Sequence, residues 1–338
     1  MNITDFQTLN STKVAQIVQD HGVQVCGFTF NGTRRWFKFE YPTQKHDLRA
    51  YIQALSTRVI EVCQMLFDHG INTLVLPVIS PHVLNKRDNA YRQMATQALM
   101  LLVADPRFLQ FYEQYNVGVR IYGDYESYLE GETAVNLSQH LATLNQTVTT
   151  RRIFWGICAH DATETIANLT IQHFQEHGQA PTKADLIKKY YGDNITPLDL
   201  YIGSSKTQAI DMPLISSGRE SLYFTVAPSP YFNQQQLRDI LYDHIINRRE
   251  HRDHIQVTPQ QEAEMRQFYL ANQHHTLGVG IRNTEWDVWH PLPQVELPQP
   301  TLPQIVTPRQ ADLLRKMWHN SFKASFFAFD KKIAAQNG

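Results

Sequence analysis

Arg34 and Arg35 stand side by side just after Gly32, at the end of the apolar run Val23–Phe30. These are the parts of an anion cradle. A glycine lets the backbone approach a ligand closely, and amides that follow a strand can point at phosphate oxygens. Arginine forks also match phosphate geometry better than lysine does. Two adjacent surface charges would have the same composition, so on residue types alone an anion site and a solvated pair remain alternatives.

Other reactive residue types carry weaker signals. Asp161 and Glu164 share one helical turn after a strand-like run. They suit metal ligands, or equally the acidic residues that complement a helix N-terminus. Tyr51 falls on an apolar helical face, where a core role is the plain reading. His274-His275 lacks a carboxylate at ligand spacing, and Arg249–His254 reads as a solvated helix end. Cys26, Cys63 and Cys158 are far apart in apolar contexts, which predicts buried thiols in a reducing cytosol.

The elements that must position these groups alternate. Strands are predicted at Val23–Phe30, Thr73–Ile79, Val117–Tyr122, Arg152–Cys158, Leu198–Ile202 and Ser221–Val226. Helices are predicted at Asp47–His69, Asp88–Val103, Ala162–Glu176 and Asn233–Asn247, with a further start at Thr182, where Asp185 completes a capping-box spacing. This order implies an α/β fold with a mainly parallel central sheet flanked by helices. Ligands of such sheets bind beyond the carboxyl ends of the strands, where Gly32–Arg35 falls.

The chain has 338 residues, a net charge of -1 and a pI near 6.9. Charge this balanced leaves no footprint for nucleic-acid binding. The N-terminus lacks a signal-peptide pattern and no apolar run would span a bilayer, so a cytoplasmic protein is expected. One catalytic domain is expected over residues 1–290, then a proline-rich linker over 291–310 and an amphipathic helix over 311–338.

Several segments, in order, resemble one family. "FNGTRRW" is similar to the "DGNGRW" signature of cis-prenyltransferases, "VRIYGDY" to their strand ending in Gly-Asp, and "SLYFTVAPSPYF" to their "ELYFTDVLWPDF". "GTRRWF", "MLFDHGINTLVLP", "YGDY", "PLISSGRESLYFTVAPS" and "LRDILYDHI" are closer to one branch, the tuberculosinol synthase and tuberculosinyl adenosine transferase family. The resemblance runs from Ile17 to Trp286; the proline-rich tail lies outside it and points to a member of kolavelool synthase type rather than the mycobacterial form.

The resemblance implies a cis-prenyltransferase-like (undecaprenyl diphosphate synthase-like) fold and a homodimer. It also implies ionisation of a bicyclic diterpenyl diphosphate, of kolavenyl or tuberculosinyl type, supplied by a separate class II diterpene cyclase. Water capture would give an alcohol; transfer to a nucleoside such as adenosine is the alternative. Gly32, Thr33, Arg34 and Arg35 would hold the diphosphate with Mg²⁺, joined by Ser217, Gly218 and Arg219. Tyr51 and Tyr91 would be catalytic, and Trp36 would wall the hydrocarbon pocket.

Two departures matter. The elongating enzymes carry an arginine-rich "RTSGEQR" where this chain has "GSSKTQA" (Gly203–Ala209), with Lys206 its sole cation. A second buried diphosphate would then lack partners, which implies one diphosphate substrate. Asn31 stands where the family has Asp, as a catalytic position and a weak metal ligand. Either an Asp-to-Asn change has disabled the site, leaving a weakly active isoprenoid-diphosphate-binding protein, or this relative handles metal and proton elsewhere.

Overall fold

A computed structural model describes residues 1–80, 98–128, 132–144, 149–159, 162–208, 212–248, 258–283 and 288–291. Tyr91, Asp161, most of the helix expected over 88–103 and the tail beyond residue 291 lie outside the described residues.

Six strands form one parallel sheet: β1 (Val25–Phe28), β2 (Thr73–Ile79), β3 (Val117–Tyr122), β4 (Arg151–Ile157), β5 (Leu200–Ser204) and β6 (Ser221–Thr225), in the order β3-β4-β2-β1-β5-β6. The strands are apolar runs because both faces are covered. Cys26, Phe28, Leu74, Leu76, Trp155, Leu200 and Ile202 face a large core. Val25, Val75, Tyr122, Phe154 and Tyr201 face a smaller one.

Helices α1 (Ile3–Thr8) and α2 (Ser11–Asp20) precede the sheet, capped by Asn2 and Asn10. Short α3 (Thr33–Glu40) follows β1, and α4 (Leu48–Asp68) lays Val59, Ile60, Cys63 and Leu66 on the larger core. The side chain of Asp47 caps α4 by accepting from Ala50 N. Helix α5 (Pro106–Tyr115) starts at the Asp105 cap and packs beside α4. On the smaller core lie α6 (Thr163–His177) and α7 (Lys183–Tyr191), the second opened by the Thr182/Asp185 capping box. Helix α8 (Gln234–Tyr242) runs on into a π-helical turn, Asp243–Asn247.

Chain order and strand order together make a crevice. From β1 the chain moves outward through β2, then returns to β5 on the other side of β1 and moves outward again to β6. The switch point therefore lies between β1 and β5, and its carboxyl end is the expected ligand crevice.

The chain divides into two compact units, Met1–His254 with Gly278–Leu292, and a second that includes Ile255–Leu277. The first holds the sheet and a small antiparallel pair, β7 (Gly280–Asn283) and β8 (Val288–Pro291). The described part of the second includes a helix, Pro259–Asn272. No described helix is long and apolar enough to cross a membrane.

Candidate active site at the carboxyl end of the sheet

The segment after β1 turns sharply into α3. Gly32 caps that helix at φ +73°, and a Cβ there would come within 2.9 Å of Pro228 Cβ, so geometry and space both demand glycine. No side chain caps α3, and its first turn holds no acidic residue. The first turn of α3, Thr33–Arg35, therefore starts at the carboxyl end of the sheet with no side-chain cap and no acidic residue at its positive dipole end. Within it Arg34 is exposed and Arg35 half-buried. Gly32, Thr33, Arg34 and Arg35 thus stand together at the start of a helix.

The loop after β6 fixes this cradle. Ser229 donates from N (3.1 Å) and Oγ (2.9 Å) to the carbonyl of Asn31. Tyr231 donates to Glu40 at the far end of α3 (2.6 Å), and Arg58 of α4 donates to the Pro230 carbonyl (2.7 Å). Cross-links of this kind hold donors in place before a ligand arrives, which is what electrostatic stabilisation requires.

Tyr51 joins the cradle. Its hydroxyl lies 2.8 Å from Thr33 Oγ1, and its ring meets Phe37 edge-on at 5.5 Å. Asn31 is exposed; its Nδ2 donates to Thr29 Oγ1 at 3.4 Å, and buried Thr29 pairs with the Tyr201 hydroxyl at 3.1 Å. Below lies an aromatic floor that sequence reasoning missed: Phe28 packs on Phe30 (4.9 Å) and on Phe232 (5.3 Å). The alternation of "CGFTF", with Phe28 and Phe30 on one face, was the available signal.

Trp36 is buried at the floor of a groove of about 380 Å³ between α3, α4 and α5. The groove's other walls include Gln53, Thr57, Arg58, Glu61 and Arg107, which suit a polar ligand better than a diterpenyl chain.

Ser217, Gly218 and Arg219 do not lie with Gly32–Arg35 at the carboxyl end of the sheet. They precede β6, whose Ser221 pairs with Leu200 at the start of β5, so they lie at the amino end of the sheet. Five residues of strand, about 3.3 Å each, separate them from the cradle. Their donors already serve an anion of the chain's own: Glu220 accepts from Ser216 Oγ and from Ser217 N and Oγ. Burial opposes its ionisation, but these bonds and neighbouring backbone N–H groups hold its carboxyl down to about 2.

Glu164 is exposed in the first turn of α6. Among the described residues no three His, Cys, Asp or Glu side chains converge as a metal site. Magnesium is held by carboxylates and phosphates, and neutral Asn31 alone does not make a protein-built site for it. Gly203 leaves no room for a side chain, since a Cβ there would lie 2.8 Å from the Phe224 ring, and Lys206 is exposed. Ordinary residues in left-handed backbone follow two other strands at this end, Cys158 (φ +53°) after β4 and Ser205 (φ +65°) after β5. Strain of this kind gathers at ligand sites.

No family model matches the chain. It is 37% identical over 282 residues to tuberculosinyl adenosine transferase of Mycobacterium tuberculosis, covering 82% of this chain and 94% of that protein. It is 24% identical over 218 residues to (+)-kolavelool synthase of Herpetosiphon aurantiacus, covering 64% and 72%. Among solved structures, lavandulyl diphosphate synthase of Lavandula x intermedia superposes with a TM-score of 0.55 at 17% identity, over 68% of this chain and 98% of that one. A probable undecaprenyl diphosphate synthase of Campylobacter jejuni does so at 0.50 and 16%, over 68% and 97%. The six-stranded parallel sheet is therefore the cis-prenyltransferase fold, and at this identity and coverage the chain belongs to the tuberculosinyl adenosine transferase family.

Proposed function

We propose that this enzyme ionises one bicyclic diterpenyl diphosphate and passes the resulting allylic cation to water, releasing a diterpene alcohol and diphosphate. The observation that carries this reading is the uncapped start of α3, with Arg34 and Arg35 beside it, set above the aromatic floor of Phe28 and Phe30. The carbon–oxygen bond to the diphosphate breaks and its electron pair leaves with the phosphate. The first-turn amides and the two guanidinium groups stabilise the charge that develops there. Ring faces stabilise the cation left behind. Water then forms the new carbon–oxygen bond, and the oxonium gives its proton to the departing diphosphate.

Magnesium, which the resemblance implies, is proposed only as a companion of the substrate's phosphate oxygens. A class II cyclase would supply the bicyclic diphosphate, and a homodimer, measurable by light scattering, would be the working form. A second reading, transfer of the diterpenyl group to adenosine, is favoured by the name of the 37% identical relative.

The deciding experiment incubates the protein with kolavenyl and tuberculosinyl diphosphates, with and without adenosine. Alcohol formed without adenosine supports water capture, and a nucleoside adduct supports transfer. Elongation of a linear allylic diphosphate with isopentenyl diphosphate would overturn both.

A further inference from the structure

Ser204 is the last residue of β5, on the opposite side of the switch-point crevice from Asn31. It is 3% exposed, and among the described residues its Oγ has no hydrogen-bond partner. Alternation along β5 puts it on the face of Leu200 and Ile202, which is the face of Phe28. Phe28 pairs with Ile202, so Phe30 and Ser204, each two residues further on, end the same rows. Ser205 follows in left-handed backbone. A buried hydroxyl without a partner costs about 1–3 kcal/mol, and this one is held at the crevice beside the aromatic floor.

We propose that Ser204 Oγ orients the water that captures the allylic cation, an inference that rests on the function proposed above. A neutral hydroxyl that ends the row of Leu200 and Ile202, beside a Thr225 hydroxyl already bonded to the Gly203 and Ala227 carbonyls, suits an uncharged oxygen, whereas a diphosphate needs the charged cradle across the crevice. Ser204 Oγ accepts a hydrogen bond from one water O–H, which aims the water's lone pair at the cationic carbon. The new carbon–oxygen bond forms from that lone pair, and the surplus proton leaves to the diphosphate. Without this water the cation loses a neighbouring proton instead, and a hydrocarbon olefin replaces the alcohol.

The test compares wild type, Ser204→Ala and Ser204→Thr on the same bicyclic diphosphate, reading the ratio of alcohol to olefin and the thermal midpoint. Ser204→Ala should lower the ratio about tenfold, the worth of one hydrogen bond, and Ser204→Thr should restore it. Ser204→Ala should also melt no lower than wild type, because it removes an unpaired buried hydroxyl. An unchanged ratio overturns the proposal, as does a raised KM with the ratio intact or a lowered midpoint that reveals a structural partner. If the wild type consumes no diterpenyl diphosphate, the proposed function itself fails and takes Ser204 with it. If it consumes the substrate with the ratio insensitive to Ser204, only the role of Ser204 fails.

Discussion

Thr33 and Tyr51 share a hydrogen bond, their hydroxyl oxygens 2.8 Å apart, and it joins the first turn of α3 to the first turn of α4. The anion cradle and the helix that covers the larger core are thereby positioned together. Tyr51→Phe keeps the ring against Phe37 and removes this link. We expect a fall in kcat of about tenfold, with little change in thermal midpoint. Wild-type kcat in the variant would reduce Tyr51 to a packing residue.

Arg34 and Arg35 lie in the first turn of α3, one exposed and the other half-buried, and neither is a core residue. Arg34→Ala and Arg35→Ala should therefore fold normally. Each should lower kcat/KM for the diphosphate by roughly a hundredfold, the usual worth of a donor aimed at a developing anion. Steady-state kinetics with both variants checks this, and unchanged values in both would remove the pair from the site.

Much of this was legible in the sequence, and what was not has identifiable causes. The bounds of β2 and β3 are as the apolar runs predict, because buried parallel strands are continuous apolar segments. Helix α3 was hidden because two arginines and three aromatics in eight residues blur its helical period. The bond between Thr33 and Tyr51 is tertiary and leaves no local trace. Ser217, Gly218 and Arg219 were misplaced for a different reason. A resemblance gives the order of segments along the chain, but only strand register tells which end of the sheet a loop occupies.

Stability should depend on pH through two histidines, buried His69 and half-buried His244. His69 donates from Nδ1 to the Met65 carbonyl (2.8 Å), leaving Nε2 to accept from buried Arg238 Nε (3.3 Å). Burial lowers its pKa most; the Met65 bond and Asp68 oppose this, and the Arg238 charge adds to it. Burial likewise lowers His244, which bonds Ser221 Oγ. Both are neutral in the native state, whereas unfolded histidine binds a proton near pH 6.5. Their contribution is therefore complete above about pH 6.5 and is lost as pH falls from there through the lowered native values. Urea melts at pH 7.5 and pH 5.5 should show a lower midpoint in acid, with a smaller difference in His69→Gln. A midpoint independent of pH would contradict the neutral His69–Arg238 pair.

Asn31→Asp is the sharpest test of the cradle. The Asn31 carbonyl is clamped by Ser229, so a side-chain change leaves the backbone in place. An aspartate is the same size, and the Thr29 hydroxyl that now accepts from Asn31 Nδ2 can turn to donate instead. The new charge sits at a helix N-terminus beside two arginines, which favours its ionised form. It also opposes an incoming diphosphate unless a divalent cation bridges the two. The variant should therefore turn over about tenfold faster than wild type or more, and its rate should depend more steeply on Mg²⁺ than the wild-type rate does. Titration of Mg²⁺ with both proteins reads the two effects separately. If Asn31→Asp is no faster at any Mg²⁺ concentration, position 31 is not a disabled carboxylate, and the neutral amide is the group with which this enzyme works.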